Sequence, residues 1–486
     1  MEDQKASFVA QEKYDQLESE VVHLRQQLSE LQRMIFGAKS ERFIPSASNQ
    51  IPLFELPNQK EEQTEEQEIS YSRKTKKEKE QPVRALLAAH LPRKEEVIEP
   101  EEKEEGSKKI GEEITEILEY NPAKLYVRRI VRPKYVSPET GSIVIGTLPS
   151  LPIPKGNAGA SLLAHIQVSK WVDHLPYYRQ IQIFKRSEVR LNKSTLNGWF
   201  NASCNLLEPL YQSLVKAVQS QAYLQADESS IRVQDKDKQG ATHTGFHWVY
   251  HAPLSRLVVF DYQPTRSSRG PTAFLQNFEG TLQTDGYTAY NELVKAKGIP
   301  FLACMAHARR YFEKALDNDQ FRAQYALSKI QELYTLERTM KEEELNSVQT
   351  QDLRQRYALP ILEEWKIWLD GQQVRVTPKS PIGKAINYTL NLWSRLIRYV
   401  EDGNYLIDNN PIENTIRPLA LGRKNYLFAG SHQAAQRAAM MYSFFATCKL
   451  NQVNPYKWLL HVLTKIPDHK INQIHLLLPH NFIEPK

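Results

Sequence analysis

The chain has 486 residues, 41% hydrophobic and 25% charged. That balance excludes a wholly disordered polymer and leaves enough apolar material for a sizeable core, at a length that suits about three domains. The net charge of +6 permits a polyanionic partner without demanding one.

The first residues are charged and polar, and no apolar run reaches the roughly 18–20 residues of a membrane span. A cytoplasmic protein with no membrane partner is therefore expected. Cys204, Cys304 and Cys448 are far apart. That spacing argues against a disulfide framework and suits small core residues.

The first predicted element is a heptad helix within residues 1–45. Tyr14, Leu17, Val21, Leu24, Leu28, Leu31 and Ile35 alternate spacings of three and four, which keeps one apolar stripe facing a partner helix. Homo-oligomerisation through this coiled-coil helix is expected. Residues 46–85 read as a charged flexible linker, with a run of glutamates followed by lysines and arginines. Apolar alternation over 114–135 predicts strands, and Pro149, Pro152 and Pro154 mark a boundary. Residues 151–218 read as helical. Two short helices, one after His174-Leu-Pro and one near Ser194-Thr195, flank a polar break and resemble a helix-turn-helix. Arg179, Arg186 and Lys193 there are candidate DNA contacts.

From Tyr223 to Leu316 the pattern predicts strand, strand, strand, helix, strand, helix, strand, helix, which is an α/β order. The first and fourth strands each deliver an aspartate near their C-terminal end, Asp227 and Asp285. If the strands are neighbours, the carboxylates meet and repel unless a cation sits between them. Mg²⁺ or Mn²⁺, hard cations that prefer oxygen, are the natural partners. A third acid would complete a site for two ions. The best candidate is Glu413 in Asp408-Asn-Asn-Pro-Ile-Glu413, on the first turn of a helix begun by Pro411. Arg417, Arg423 and Lys424 follow it. Glu228 and Asp261 are rival ligands, although strand alternation would turn Glu228 to the opposite face. Asp408 suits a cap. Arg266 and Arg269 form a basic loop. Cys304 and His307 make a two-ligand pair too small for a metal site, so a core cysteine with a histidine near a DNA backbone is preferred. One of Arg309 and Arg310 is expected to contact phosphate.

Several motifs, taken in order, resemble the transposases of the insertion-sequence 66 family. They are Phe36-Gly-Ala-Lys-Ser-Glu-Arg42, Arg132-Pro-Lys-Tyr135, His174-Leu-Pro-Tyr-Tyr-Arg179, Ala226-Asp-Glu228, Thr284-Asp-Gly-Tyr287, Cys304-Met-Ala-His-Ala-Arg-Arg310 and the Asp408–Glu413 block. The resemblance implies a DDE transposase with an RNase H-like core at 219–430 and a helical insertion at about 315–400. It assigns Asp227, Asp285 and Glu413 as the metal-binding triad, with two Mg²⁺ or Mn²⁺ ions. Its substrates would be double-stranded DNA, both the terminal inverted repeats and the target, with accessory transposition proteins as further partners. Residues 431–486 would form a C-terminal helical region.

Two departures stand out. The family carries a cysteine-based zinc module after its N-terminal helix, yet the first cysteine here is Cys204. Residues 86–150 are therefore expected to be a degenerate module that binds no zinc. Some DDE enzymes also place a lysine seven residues after the glutamate, where this chain has Ala420; Arg423 or Lys424 would substitute.

Overall fold

A computed structural model describes residues 87, 89, 91–100, 108–121, 124–138, 141–234 and 241–484. The heptad helix and the charged linker lie outside the described residues.

Residues 93–145 form a four-stranded sheet. Its strands are β1 (Arg93–Val97), β2 (Lys108–Asn121), β3 (Lys124–Val136) and β4 (Ile143–Ile145), with β3 paired to all the others. Ile117, Leu118, Val127 and Ile130 are buried on it. Apolar packing thus holds together part of the segment expected to be a degenerate zinc-finger-like module. Leu118 ties the sheet to the helices that follow: its N–H donates to Asn157 O at 2.7 Å, and its carbonyl accepts from Gly159 N at 2.8 Å.

Three helices come next: α1 (Ala160–Trp171), α2 (Tyr177–Arg186) and α3 (Lys193–Gln219). The sequence led us to expect a second helix of short length, but α3 has 27 residues. Leu196, Phe200, Leu207, Leu214 and Val218 keep one face buried along its whole length, and a continuous apolar face lets a helix continue past Pro209.

The second sheet contains β5 (Tyr223–Gln234), β6 (Thr242–Ala252), β7 (Leu257–Gln263), β8 (Thr281–Thr284) and β9 (Phe301–Ala303), in the order β7-β6-β5-β8-β9. The hairpin strands β5, β6 and β7 are antiparallel, whereas β8 and β9 run parallel to β5. α4 (Arg269–Phe274), α5 (Asn291–Lys297) and α6 (Met305–Ala315) alternate with the later strands. The predicted order from Tyr223 to Leu316 is the observed one. The second of the expected helices, over 287–297, begins with a short 3-10 turn at Thr288–Tyr290.

A separate hydrophobic cluster lies between α6 and residue 407. α7 (Gln320–Glu342), α9 (Leu359–Gln373), α10 (Pro381–Asn391) and α11 (Trp393–Leu396) build it with α6 around Trp365, and α8 (Ser347–Leu353) falls between α7 and α9 in the chain. Arg354 is buried there, paired with both oxygens of Glu337 at 2.8 and 2.7 Å, and it also donates to the carbonyls of Tyr399 and Asp402. A guanidinium so fully engaged fixes the return of the chain.

The chain then rejoins the sheet through α12 (Asn410–Tyr426), α13 (His432–Leu450) and α14 (Pro455–Lys465). α13 covers β7, an edge strand whose outward N–H groups need partners. Ser443 Oγ accepts from Phe260 N at 2.8 Å and Thr447 Oγ1 from Val258 N at 3.3 Å. Among the described residues no helix is long and apolar enough to cross a membrane.

Candidate functional site

β5 and β8 are parallel neighbours, and Gln225 is in register with Gln283. Asp227 and Asp285 each lie two residues beyond that pair. They therefore share one level and one face of the sheet, on strands about 4.8 Å apart. Fifty-eight positions of sequence separate them; one strand spacing separates their backbones.

The two glutamines bring the third acid to the same face. Gln225 Nε2 donates to Gln283 Oε1 at 2.8 Å and to Asp408 O at 2.9 Å, while Gln283 Nε2 donates to Leu406 O at 2.8 Å. Met305 N donates to Ile407 O at 3.1 Å. Residues 406–408 are thereby stitched across β5, β8 and the start of α6. Asp408 Oδ1 accepts from Asn410 N at 3.0 Å and its Oδ2 from Tyr334 OH at 2.6 Å. It therefore closes a turn just before α12, whose N-cap is Asn409 without a side-chain cap hydrogen bond, so neither residue caps the helix as the sequence suggested. Pro411 occupies its start and Glu413 its first turn, where the positive helix end favours a carboxylate.

The site is acidic and enclosed. Burial, with Glu228, Asp285 and Glu413 nearby, pushes the Asp227 carboxyl up to about 8. Asp285 Oδ1 accepts from Tyr287 N at 2.9 Å, across a turn in which Gly286 takes φ +94°, a conformation that favours glycine. Tyr388 OH donates to Asp285 O at 2.6 Å.

Glu413 is turned onto Arg310, with Nη2 to Oε2 at 2.5 Å. Its other oxygen is buried with no hydrogen-bond partner and lies 3.9 Å from His307 Nε2. Burial lowers the His307 pKa. A cavity of about 470 Å³ opens beside this pair, lined by Arg310, Asn410, Glu413 and Arg417 among others. Ala420 lines it too, at the position where a lysine was absent from the sequence; Arg310 and Arg417 supply the positive charge there.

The rival ligands are engaged by other partners, although Glu228 stays close enough to help raise Asp227. Glu228 points to Arg266, whose Nε reaches it at 2.8 Å, and Arg266 stacks over Tyr287 with 4.0 Å to the ring centroid. Asp261 accepts from Gln263 at 2.8 Å on β7, separated from β5 by β6. Cys304 is buried and free, and burial pushes its thiol up to about 12. Arg309 pairs with Glu313 at 3.0 Å, which leaves Arg310 as the arginine at the acids. Arg269 is exposed at the start of α4 and Arg186 at the end of α2. Arg423 donates to Ser230 on β5, and Lys424 is exposed. Arg179 and Lys193 lie at the other end of α12, where Arg179 donates to Asn425 at 3.2 Å.

The donor set tests well for a hard cation: the facing groups are carboxylates, they crowd enough to raise Asp227, and one Glu413 oxygen is buried and unsatisfied. Among the described residues, however, no three His, Cys, Asp or Glu side chains stand close enough to share one ion, because Arg310 holds Glu413. The sequence reading missed the buried glutamines. Their signal is a repeat, Gln225-Ala-Asp227 and Gln283-Thr-Asp285, in which the same polar residue precedes each acid on the same face.

β5 runs on to Gln234, so Asp227 lies within its strand and not near the C-terminal end as expected, whereas Asp285 directly follows β8. An α/β core that gathers carboxylates and arginines at this level of its central strands defines a protein suited to phosphate-bearing polymers. Comparison with known families is more specific. Residues 155–437 match the family model described as Transposase IS66 family, 443–480 the IS66 C-terminal element, and 23–95 the Transposase C of IS166 homeodomain. The chain belongs to the IS66 transposase family. It is similar to the uncharacterized protein y4jD of Sinorhizobium fredii, at 31% identity over 96% of each chain. It also resembles y4qI of the same organism, at 31% identity over 95% of this chain and 89% of that one.

Proposed function

We propose that this protein is a DDE transposase with an RNase H-like core, which cleaves DNA at the ends of an insertion sequence and joins the released 3′ hydroxyls to target DNA. The observation that carries this reading is the placement of Asp227 and Asp285 at one level of two parallel strands, with the Gln225–Gln283 pair drawing Glu413 to the same face. The strand order supports the core assignment: an antiparallel hairpin of three strands continues into two parallel ones.

Asp227, Asp285 and Glu413 are the oxygen donors that would hold two divalent ions, Mg²⁺ or Mn²⁺; such ions, when bound, supply Lewis-acid stabilisation to the attacking and leaving oxygens. The remaining work falls to the protein's own groups. Arg310 and Arg417 bind phosphate oxygens in the cleft beside Glu413, and a phosphate that engages Arg310 frees the Glu413 carboxylate. The buried glutamines hold the acids in position. Sheet and helices exclude water behind the acids, where electrostatic interactions are strongest.

The test is nicking of element-end duplex DNA with Mg²⁺ by the Asp285→Asn protein. Loss of nicking with duplex binding retained is the expected result; nicking at the wild-type rate overturns the assignment. A second reading, a DNA-binding relative without catalysis, is favoured by the closed Arg310–Glu413 pair. It predicts a mobility shift without cleavage in Mg²⁺, Mn²⁺ and Co²⁺ alike.

A further inference from the structure

The opposite end of α12 presents a different chemistry. The helix stops at Leu427, a non-glycine residue with φ +63°. The chain then pairs with the end of β5: Ala429 N donates to Arg232 O, and Gln234 N donates to Ala429 O, both at 2.8 Å. A cavity of about 650 Å³ lies here, between α1, α2, α3, the end of β5 and the start of α13. Its size suits a ligand on the scale of a nucleotide.

Three cations line it, Lys170, Lys193 and Arg437, and no aspartate or glutamate does. Lys170 is set among rings, 3.7 Å from the Tyr177 centroid, 4.6 Å from Trp171 and 5.2 Å from Phe200. Among the described residues no carboxylate pairs with it. Burial pulls its pKa down to about 7, so an anion bound at this point would be matched by a restored ammonium charge.

Amides make up a second group of lining residues. Asn201 Oδ1 accepts from Arg437 at 2.6 Å, which leaves its amino group to donate. Asn197 makes no side-chain hydrogen bond among the described residues. A third group is aromatic and exposed: Tyr178 is 58% accessible and Phe428 is 44% accessible, and both line the cavity. Cations for a phosphate, amides for a base edge and exposed rings for a base face occur together, with the Arg179 guanidinium 5.6 Å from the Tyr178 centroid. A paired base in a duplex has its faces covered by its neighbours and cannot enter a concavity, whereas a base turned out of the stack can.

We infer that this cavity binds one unpaired nucleotide of the DNA substrate, its base stacked on Tyr178 and Phe428 and read by Asn197 and Asn201, its phosphate held by Lys170, Lys193 and Arg437. The inference rests on the DNA-processing reading above and deepens it. Glu413 and Tyr426 are 13 residues apart on one helix, about 20 Å at the helical rise. The extruded nucleotide therefore lies about six steps of stacked strand from the acids. Arg423 and Lys424 lie on the same helix between the two sites.

The test uses the full chain in chelator, so that cleavage plays no part. The probe is a duplex with a single unpaired 2-aminopurine, compared with the fully paired duplex of the same sequence at one salt concentration. The bulged duplex should bind at least about tenfold more tightly, with quenched 2-aminopurine emission as the base stacks. Tyr178→Ala and Phe428→Ala should remove both the preference and the quenching, and leave binding of the paired duplex within twofold. Gly430→Leu is the second variant: a Cβ there meets nothing within 4 Å, so the side chain starts in open space on the cavity wall and obstructs it. Equal affinity for the two duplexes, or a preference that survives Gly430→Leu, overturns the inference while the cleavage reading stands. A preference that holds while Asp285→Asn still nicks DNA keeps the cavity and removes the triad. Failure to bind either duplex removes both.

Discussion

The two ends of α12 differ in charge, in enclosure and in the way each is anchored. At the N-terminal end Glu413 stands with Asp227, Asp285 and two arginines, Arg310 and Arg417, pinned through buried amides to the centre of the sheet. At the C-terminal end cations, amides and open rings surround a cavity without a carboxylate, and the anchor is a backbone bridge to the tip of β5. The segregation follows the helix dipole, which favours an acid in the first turn and bases such as Arg423 and Lys424 in the last. One rigid element thus sets a fixed distance between an acidic site and a basic one. A protein that must hold DNA in one place and act on it in another needs such a distance.

The largest expected effect breaks this comparison at one end only. Asp227→Asn should lower cleavage about 10³-fold, equivalent to several kcal/mol of lost charge stabilisation, with affinity for the bulged duplex in chelator unchanged. Gel-based cleavage and anisotropy on one preparation check this, and a parallel loss of affinity would mean that the ends are not separable.

The next effect concerns acid. His247 is fully buried with neither ring nitrogen hydrogen-bonded, and burial, assisted by Arg423, lowers it to about 3. Folded, it stays neutral; unfolded, it takes a proton below about 6.5. Its contribution is therefore complete above pH 6.5 and declines as pH falls, by about 1.4 kcal/mol per unit, or about 3 kcal/mol by pH 4.5. Urea unfolding from pH 7.5 to 4.5 should show this slope, and His247→Phe should flatten it.

Gln283→Leu should cost about 2 kcal/mol of stability by removing one of the two acceptors of Gln225 Nε2 and leaving the Leu406 carbonyl unpaired. It should also impair cleavage by loosening the approach to Glu413, with the far cavity unaffected. The smallest effect separates adjacent arginines. Arg309→Ala, which removes an exposed pair one turn along its own helix, should change stability by less than about 0.5 kcal/mol and leave cleavage intact. Arg310→Ala should reduce cleavage and release Glu413.

Much of this geometry was legible in the residues, and the exceptions have physical causes. Period-two and helical runs gave the alternation from Tyr223 to Leu316, and the aspartates at equivalent strand positions gave the pairing. Alternation alone does not settle Glu228, which pairs with Arg266 yet stays near enough to Asp227 to help raise it. Arg309 and Arg310 could not be told apart, because the rotation of a helix about its axis is set by its packing on the sheet. That Ser443 and Thr447 of α13 satisfy an edge strand depends on which helix covers β7. The second cavity left no local signature, being assembled from α1, α3, the end of β5 and the α12–α13 turn.

The helical insertion leaves and re-enters the sheet at adjacent points, with Met305 and Ile407 joined by one hydrogen bond. Closing a longer or shorter excursion between fixed ends costs free energy only logarithmically in its length. The cassette between them is thus open to trimming, expansion or exchange over evolutionary time. The parts that a replacement would have to reproduce are small: the two phenolic hydroxyls, of Tyr334 on Asp408 and of Tyr388 on the Asp285 carbonyl, through which the excursion touches the acids.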